Sequence, residues 1–407
     1  MLHNCGIAFS FVKRPLPDFK NLIHKEAMPL SNFPASRRQF ICTTGALVTT
    51  TVVPSLAQTT RFAPRSLVVA QIVDSSQAQQ DVLKDFLIGS RAAWQDINLR
   101  GGIRGVQVQH VSFETDGTQE GLRNAFITVK NNPSCVVMSG SVGDQLASQL
   151  VSMTRQDMLG LAHVAPWLQN SSAEVDENTF PIFAARQEQI THALKSLAVM
   201  GMNTLGAVYG SVRDYNAYQP EVERIAAAMN LRLQSFQAGS ELRALGQKLT
   251  PATPAVLLFI GGTPELAEFT QGLEKQARQR YIVALADVNL QTLLQMGAAK
   301  NTPVIATQPV PMVNSSLAIV RRYRETLSRL FDEPPTALSL AGFIAAEYTY
   351  DVISNIDGAL TRQNVLSAFQ RRGAKDVGGF RISYNLQRRS STYVTQSMLT
   401  QDGRLIG

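Results

Sequence analysis

The chain has 407 residues, 44% of them hydrophobic and 17% charged, and 38 Lys and Arg against 31 Asp and Glu give a net charge of +7. That length accommodates two ordinary domains, and that composition builds sizeable cores and excludes a mainly disordered chain. Lys13, Arg14, Lys20, Lys25, Arg37 and Arg38 against Asp18 and Glu26 put +4 in the first 57 residues, leaving +3 for the 350 that follow. A surplus that thin is not the clustered basic face that nucleic acid requires.

Near the N-terminus, Ser36-Arg37-Arg38-Gln39-Phe40 precedes an apolar, uncharged run over 41–53 and then Pro54-Ser55-Leu56-Ala57. Adjacent arginines, a modest apolar stretch and a small-residue cleavage site read as a twin-arginine export signal over residues 1–57, cut after Ala57. Met1 and Met28 are both open as the start. The apolar run is too short and too rich in threonine to span roughly 30 Å of hydrocarbon. Cys42 follows Phe40-Ile41, where a lipid-anchor signal has a small residue. With Cys5 and Cys42 inside the leader, Cys135 alone is left and makes no internal disulfide. It lies in the strand-like Cys135-Val136-Val137-Met138 and reads as a small core hydrophobe. No later run approaches 18 apolar residues, so the mature chain is expected not to be membrane-embedded.

From Ser66 onward, short β-branched runs alternate with longer amphipathic stretches, the pattern of parallel sheets wrapped by helices. Strands are expected at 67–73, 106–113, 135–138 and 160–164. Over 78–99, Val82, Phe86, Ile88, Ala92, Ala93 and Ile97 share one helical face, with Trp94 in the core, and Gly101-Gly102 ends the helix. A second series starts after Ile182-Phe183, with helices at 189–200, 220–229, 242–249 and 264–279 and strands at 204–209, 231–236, 255–260 and 281–285. The proline-broken segment 302–311 reads as extended chain passing between lobes rather than as a central strand. Helices follow at 317–330 and 339–356, then strands at 380–384 and 393–399. The expected fold is therefore α/β with two Rossmann-like lobes, three crossover segments and a ligand cleft between them. Residues 66–183 and 312–375 form the first lobe, and 184–311 and 376–407, with the final strands, the second. The halves share no sequence repeat.

Catalytic patterns are missing. Gly140-Ser141-Val142-Gly143 does not have the Gly-x-Ser-x-Gly spacing of a nucleophile elbow, and His110, His163 and His192 stand apart in the sequence. No His/Cys spacing offers a zinc site and no Gly-x-x-x-x-Gly-Lys-[Ser/Thr] offers a phosphate cradle, so no enzyme, metal or cofactor is expected. The Arg321-Arg322-Tyr323-Arg324 cluster reads as a solvated helix face.

The stretch Gly89-Ser90-Arg91-Ala92-Ala93-Trp94-Gln95-Asp96-Ile97-Asn98, followed by Gly101-Gly102-Ile103-Arg104-Gly105, resembles the helix-and-turn signature of the type I periplasmic binding proteins. The nearest branch is similar to the leucine/isoleucine/valine-binding proteins of ABC importers. Phe113-Glu114-Thr115-Asp116-Gly117, Ser139-Gly140-Ser141-Val142-Gly143, Gly261-Gly262-Thr263-Pro264-Glu265 and Ser339-Leu340-Ala341-Gly342-Phe343 continue it in order over nearly all of 66–407. The resemblance implies a periplasmic, monomeric receptor that delivers a small polar solute to the permease subunits of an ABC transporter, or a sensory module of the same fold. It also implies a ligand carboxylate held by amides and hydroxyls of the first lobe and an ammonium held by an acid of the second. Carried over by position, the first lobe contributes Ser75, Ser76 and Gln77, then Ser141, Val142, Gly143, Asp144 and Gln145, then Ala162, His163, Val164, Ala165 and Trp167. Asp144 and Gln145 stand where the family commonly has hydroxyls, and the 162–167 segment lacks its threonine. For His163 and Trp167, a ligand wall and packing at a strand end are both open. From the second lobe come Tyr215, with Tyr218 as its rival, Thr263, and Asp287 as the acid facing an ammonium. These departures leave an amino acid, an amide or urea-like compound and an aromatic acid open as ligand.

Overall fold

The computed structural model describes residues 67–407 apart from 158–159, 172, 200, 238–240, 300, 391–392 and 401–403. The leader, with its arginine pair, its two cysteines and the expected cleavage after Ala57, lies outside the described residues.

The first sheet is built from β1 (Leu67–Asp74), β2 (Val108–Thr115), β3 (Cys135–Ser139), β4 (Ala162–Val164) and β5 (Thr179–Phe180) in the order β2-β1-β3-β4-β5, all parallel. Helices α1 (Gln80–Leu99), α2 (Gln119–Asn131) and α3 (Asp144–Asp157) connect its strands. Strand β1 is buried throughout, and its alternation explains why. Leu67, Val69 and Val73 enter the core on one face, while Val68, Ala70 and Ile72 enter the core beneath α2 and α3 on the other.

The chain then enters the second sheet through α4 (Arg186–Val199). Strands β6 (Thr204–Tyr209), β7 (Arg232–Gln237), β8 (Val256–Ile260), β9 (Tyr281–Ala284) and β10 (Val304–Gln308) alternate with α5 (Val212–Ala228), α6 (Leu242–Lys248), α7 (Thr263–Leu273) and α8 (Leu290–Gln295). Leu257 and Phe259 of β8 face one core and Val256, Leu258 and Ile260 the other, so this lobe is also three-layered. After β10 the chain returns to the first lobe as α9 (Ala318–Leu330), α10 (Ala337–Ser354) and α11 (Arg362–Gln370), which pack into the core containing α1. Strands β11 (Lys375–Val377) and β12 (Phe380–Ile382) form an antiparallel hairpin, and β13 (Thr395–Leu399) and β14 (Leu405–Ile406) complete the second sheet in the order β14-β13-β10-β9-β8-β6-β7.

Several expectations are corrected. Residues 304–308 are a strand paired on both sides, parallel to β9 and antiparallel to β13. Pro303, Pro309 and Pro311 bound that strand rather than interrupt it, which costs the ladder nothing. The strand at Phe380–Ile382 does not join the second sheet, because Val377, Phe380 and Ile382 bury into the first lobe's core. Helix α5 begins at Val212, eight residues before the expected start, with Pro220 inside it; the Ser211 side chain caps it by accepting from the Asp214 N–H. The Arg321–Arg324 cluster is not simply a solvated face. Tyr323 is fully buried, and Arg322 pairs with the buried Glu347 at 3.1 Å.

Two glycines of the signature stretches are explained by helix packing. A Cβ on Gly89 of α1 would lie 1.7 Å from the Ser339 carbonyl oxygen of α10, and one on Gly342 would lie 2.0 Å from that of Phe86. The helices therefore touch backbone to backbone, a closeness that a methyl group on either side forbids. Cys135 is buried and free, with burial pushing its thiol pKa up. Its carbonyl is one of four, with those of Val129, Lys130 and Asn132, that accept from the Arg362 guanidinium at 2.6–3.1 Å.

Candidate functional site

Loops leaving the C-terminal ends of parallel strands are where α/β sheets collect ligands, because chain ends and helix N-termini converge there. At the end of β1, the Ser75 hydroxyl donates to the Thr115 carbonyl at 2.8 Å, the Ser76 N–H donates to Asp74 Oδ1 at 2.8 Å, and Gln77 is exposed. After β3, the Val142 N–H donates to the Ile72 carbonyl at 3.1 Å and extends the sheet, so this amide is committed to β1. Gly143 has φ +112°, and a Cβ there would meet Asp74 Cβ at 2.8 Å, which admits only glycine beside β1.

Ser141 and His163 are not separate. The Ser141 hydroxyl bonds His163 Nε2, and both side chains are buried, at 1% and 0% exposure. Burial holds His163 down to about 4, against a weaker upward pull from Asp176, so the imidazole is neutral. His163 Nδ1 has no hydrogen-bond partner among the described residues. Ala162, His163 and Val164 form β4 itself rather than a loop, and the Ala165 N–H pairs with the Phe180 carbonyl with φ +49°.

The functional side chains that do converge come from both lobes. Asp144 opens α3 and accepts from the Asn170 N–H at 2.7 Å and from the Tyr218 hydroxyl at 3.2 Å. Trp167, 1% exposed, donates its indole N–H to Asp287 Oδ1 at 3.2 Å, from the first lobe to the second. Between the two carboxylates lies Arg186, the first residue of α4, at 2.5 Å from Asp287 and 3.4 Å from Asp144, with its guanidinium 4.1 Å from the centre of the Tyr218 ring. Burial opposes the charge on Arg186, but the Asp287 and Asp144 carboxylates outweigh it and raise its pKa above the ordinary value. Burial likewise raises the Tyr218 hydroxyl, which Arg186 partly offsets. Gln145 accepts from Arg213 of α5, and Asn289 donates to Asp85 of α1 at 2.8 Å, adding two further contacts across the lobes.

Two of the second-lobe positions fall outside this cluster. Tyr215 packs edge-on against Tyr209, 5.2 Å between ring centres, and it is Tyr218, one helical turn later, that reaches Asp144. Thr263 accepts from the Asn289 N–H at 2.9 Å and supports the 287–289 loop from behind. Arg186 was not legible as a site residue, since it lies unmarked between the apolar Phe183-Ala184-Ala185 and a polar helix start. Among the described residues no three His, Cys, Asp or Glu side chains gather as metal ligands, and no helix is long and apolar enough to cross a membrane.

Two α/β lobes, three crossings and strand-end loops meeting across a seam define a two-lobed binding-protein fold. The profile of the periplasmic binding protein family matches residues 66–401, and the chain belongs to that family. Its fold is that of the type I, leucine/isoleucine/valine-binding-like members. Similar solved structures include an extracellular ligand-binding receptor from Verminephrobacter eiseniae (17% identity, 84% of this chain and 100% of that one, TM-score 0.76). A substrate-binding periplasmic protein from Ralstonia solanacearum (19%, 84% and 99%, 0.74) is another. So is an ABC transporter substrate-binding protein from Desulfitobacterium hafniense in complex with Leu (17%, 84% and 99%, 0.68). No curated protein gives a significant sequence match.

Proposed function

We propose that the chain is the solute-binding component of an ABC importer, exported by the twin-arginine route to the periplasm, where its lobes close over a small polar solute without chemical change to it. The family is one of periplasmic binding proteins, and the Desulfitobacterium relative described with Leu is an ABC transporter substrate-binding protein. The observation that carries the reading is the cluster of Asp144, Trp167, Arg186, Tyr218 and Asp287 across the seam.

Arg186 stands where a ligand ammonium meets Asp287 in the carried-over scheme, so the protein's own cation holds the lobes together. A solute with an ammonium group replaces Arg186 on Asp287 and frees the guanidinium for the solute's carboxylate. An amino acid supplies both groups, which favours it over an amide or an aromatic acid. Closure then follows from the solute's preference for the closed arrangement. Thermal-shift screening of amino acids, amides and aromatic acids against the intact protein tests this, since a ligand that binds only the folded state raises its melting temperature. An amino acid is expected to give the largest shift, and Asp287→Ala to abolish it. An amine-bearing ligand whose affinity Asp287→Ala leaves unchanged would remove Asp287 from the site.

A further inference from the structure

A cavity of about 190 Å³ lies beside the Asp287 cluster, where the first crossing segment runs along the third. Phe183 and Ala185 of the first segment, Glu188 of α4, and Tyr384, Asn385 and Arg389 of the third line it. The third segment folds back on itself here: the Asn385 N–H donates to the Arg389 carbonyl at 2.9 Å, the Arg389 N–H to Asn385 Oδ1 at 3.0 Å, and the Ser390 N–H to the Pro181 carbonyl at 3.1 Å. These bonds fix Arg389 against the first crossing segment.

The charges of this cavity are incompletely answered. Arg389 is 9% exposed and spends Nη2 on the Asn170 and Ala173 carbonyls at 2.7 and 2.8 Å. Its Nη1 has no hydrogen-bond partner among the described residues, and the same holds for Glu188 Oε2. Burial lowers the Arg389 pKa, which Glu188 and Asp144 partly offset, and raises that of Glu188, which Arg389 partly offsets, yet Arg389 and Glu188 form no direct ion pair. Tyr384 gives nothing to the cavity's polar balance, because its hydroxyl is paired with that of Tyr348 at 3.0 Å.

We infer that this cavity is a second small-molecule site, one that takes a compact zwitterion with its carboxylate on Arg389 and its ammonium on Glu188. An anion alone leaves Glu188 unanswered and is repelled by it, and a cation alone meets the same difficulty at Arg389. The volume equals that of about six waters, and the Phe183 and Tyr384 rings bound it, so a small amino acid fits better than a bulky one. An occupant ties the first crossing segment to the third and thereby biases the angle between the lobes. None of the residues that line it belongs to the Asp287 cluster, although Ala185 and Glu188 flank Arg186.

Glycine is the probe, titrated into the intact protein and followed by ligand-observed NMR and calorimetry. Saturable glycine binding is expected to persist in Asp287→Ala, where the Asp287 cluster no longer takes an amino acid, and the second site is read alone in that background. Glu188→Gln, which keeps the shape and removes the charge, is expected to weaken it by roughly tenfold or more, as is Arg389→Lys, which keeps the charge and loses the fork. Circular dichroism melts of each variant report whether the fold is kept. Glycine binding that Asp287→Ala abolishes, binding indifferent to Glu188→Gln in a folded variant, or no saturable binding up to about 100 mM overturns the assignment.

Discussion

Replacing Asp287 by Asn isolates a buried cation. In the native chain the Arg186 side chain is 8% exposed, and its two carboxylate partners, Asp144 and Asp287, are 19% and 18% exposed. Removing one member of a buried pair costs about 3–5 kcal/mol because the other charge is left uncompensated, whereas replacing both with uncharged groups of similar size is close to neutral. Asp144 stays behind at 3.4 Å as a weaker partner, which places Asp287→Asn near the lower bound, about 3 kcal/mol of lost stability. The double variant Asp287→Asn with Arg186→Met is expected to lose about 1 kcal/mol or less. Urea denaturation of the ligand-free protein, followed by circular dichroism and by tryptophan fluorescence, measures both, and the double variant is expected to be about 2 kcal/mol more stable than Asp287→Asn. A double variant no more stable than Asp287→Asn would refute the reasoning, since it would mean that Arg186 is held by something other than the two carboxylates.

His163 sets a pH dependence of known sign. Its folded pKa of about 4 lies below its ordinary 6.5, so as the pH falls the unfolded chain takes up the proton first. Its contribution to stability is complete above about 6.5 and declines toward about 4, by up to about 3 kcal/mol, and His163→Gln is expected to flatten that part of the stability curve. Arg362→Ala strips four carbonyls of their common donor and is expected to cost about 2 kcal/mol by denaturant titration, with Lys recovering less than half. Gly342→Ala drives a methyl group against the Phe86 carbonyl and is expected to cost about 3 kcal/mol, visible as a fall in melting temperature.

Much of the fold was legible because it rests on local pattern. The β-branched runs at Leu67–Asp74 and Val256–Ile260 and the apolar stripe of α1 announce a buried strand and a helix face in the residues themselves. What was not legible depends on distant chain. Whether Val304–Gln308 is central or marginal depends on β13, almost a hundred residues later, and whether Phe380–Ile382 joins a sheet depends on which core its apolar side chains can reach. The site divides in the same way. Asp144, Trp167 and Asp287 follow strand ends and could be placed by position, but the loss of the Val142 amide to β1 and of the Ser141 hydroxyl to His163 are pairings between segments. Arg186 had no local signal at all. Its two partners come from the segments that follow β3 and β9, far from it in the chain, and only the folded protein brings them to it.

The close seam of α1 against α10 has a consequence for how the protein is made. Strands β1 to β5 leave the ribosome first, yet the helix that covers one side of them ends at Ser354, after the whole second sheet up to β10 has been synthesised. A nascent chain stopped anywhere in between carries a bare apolar slab formed by Val69, Val137 and Val164 and the inner face of α1. The inner face of the first half is therefore covered only once α10 has been made, in the last fifth of the chain.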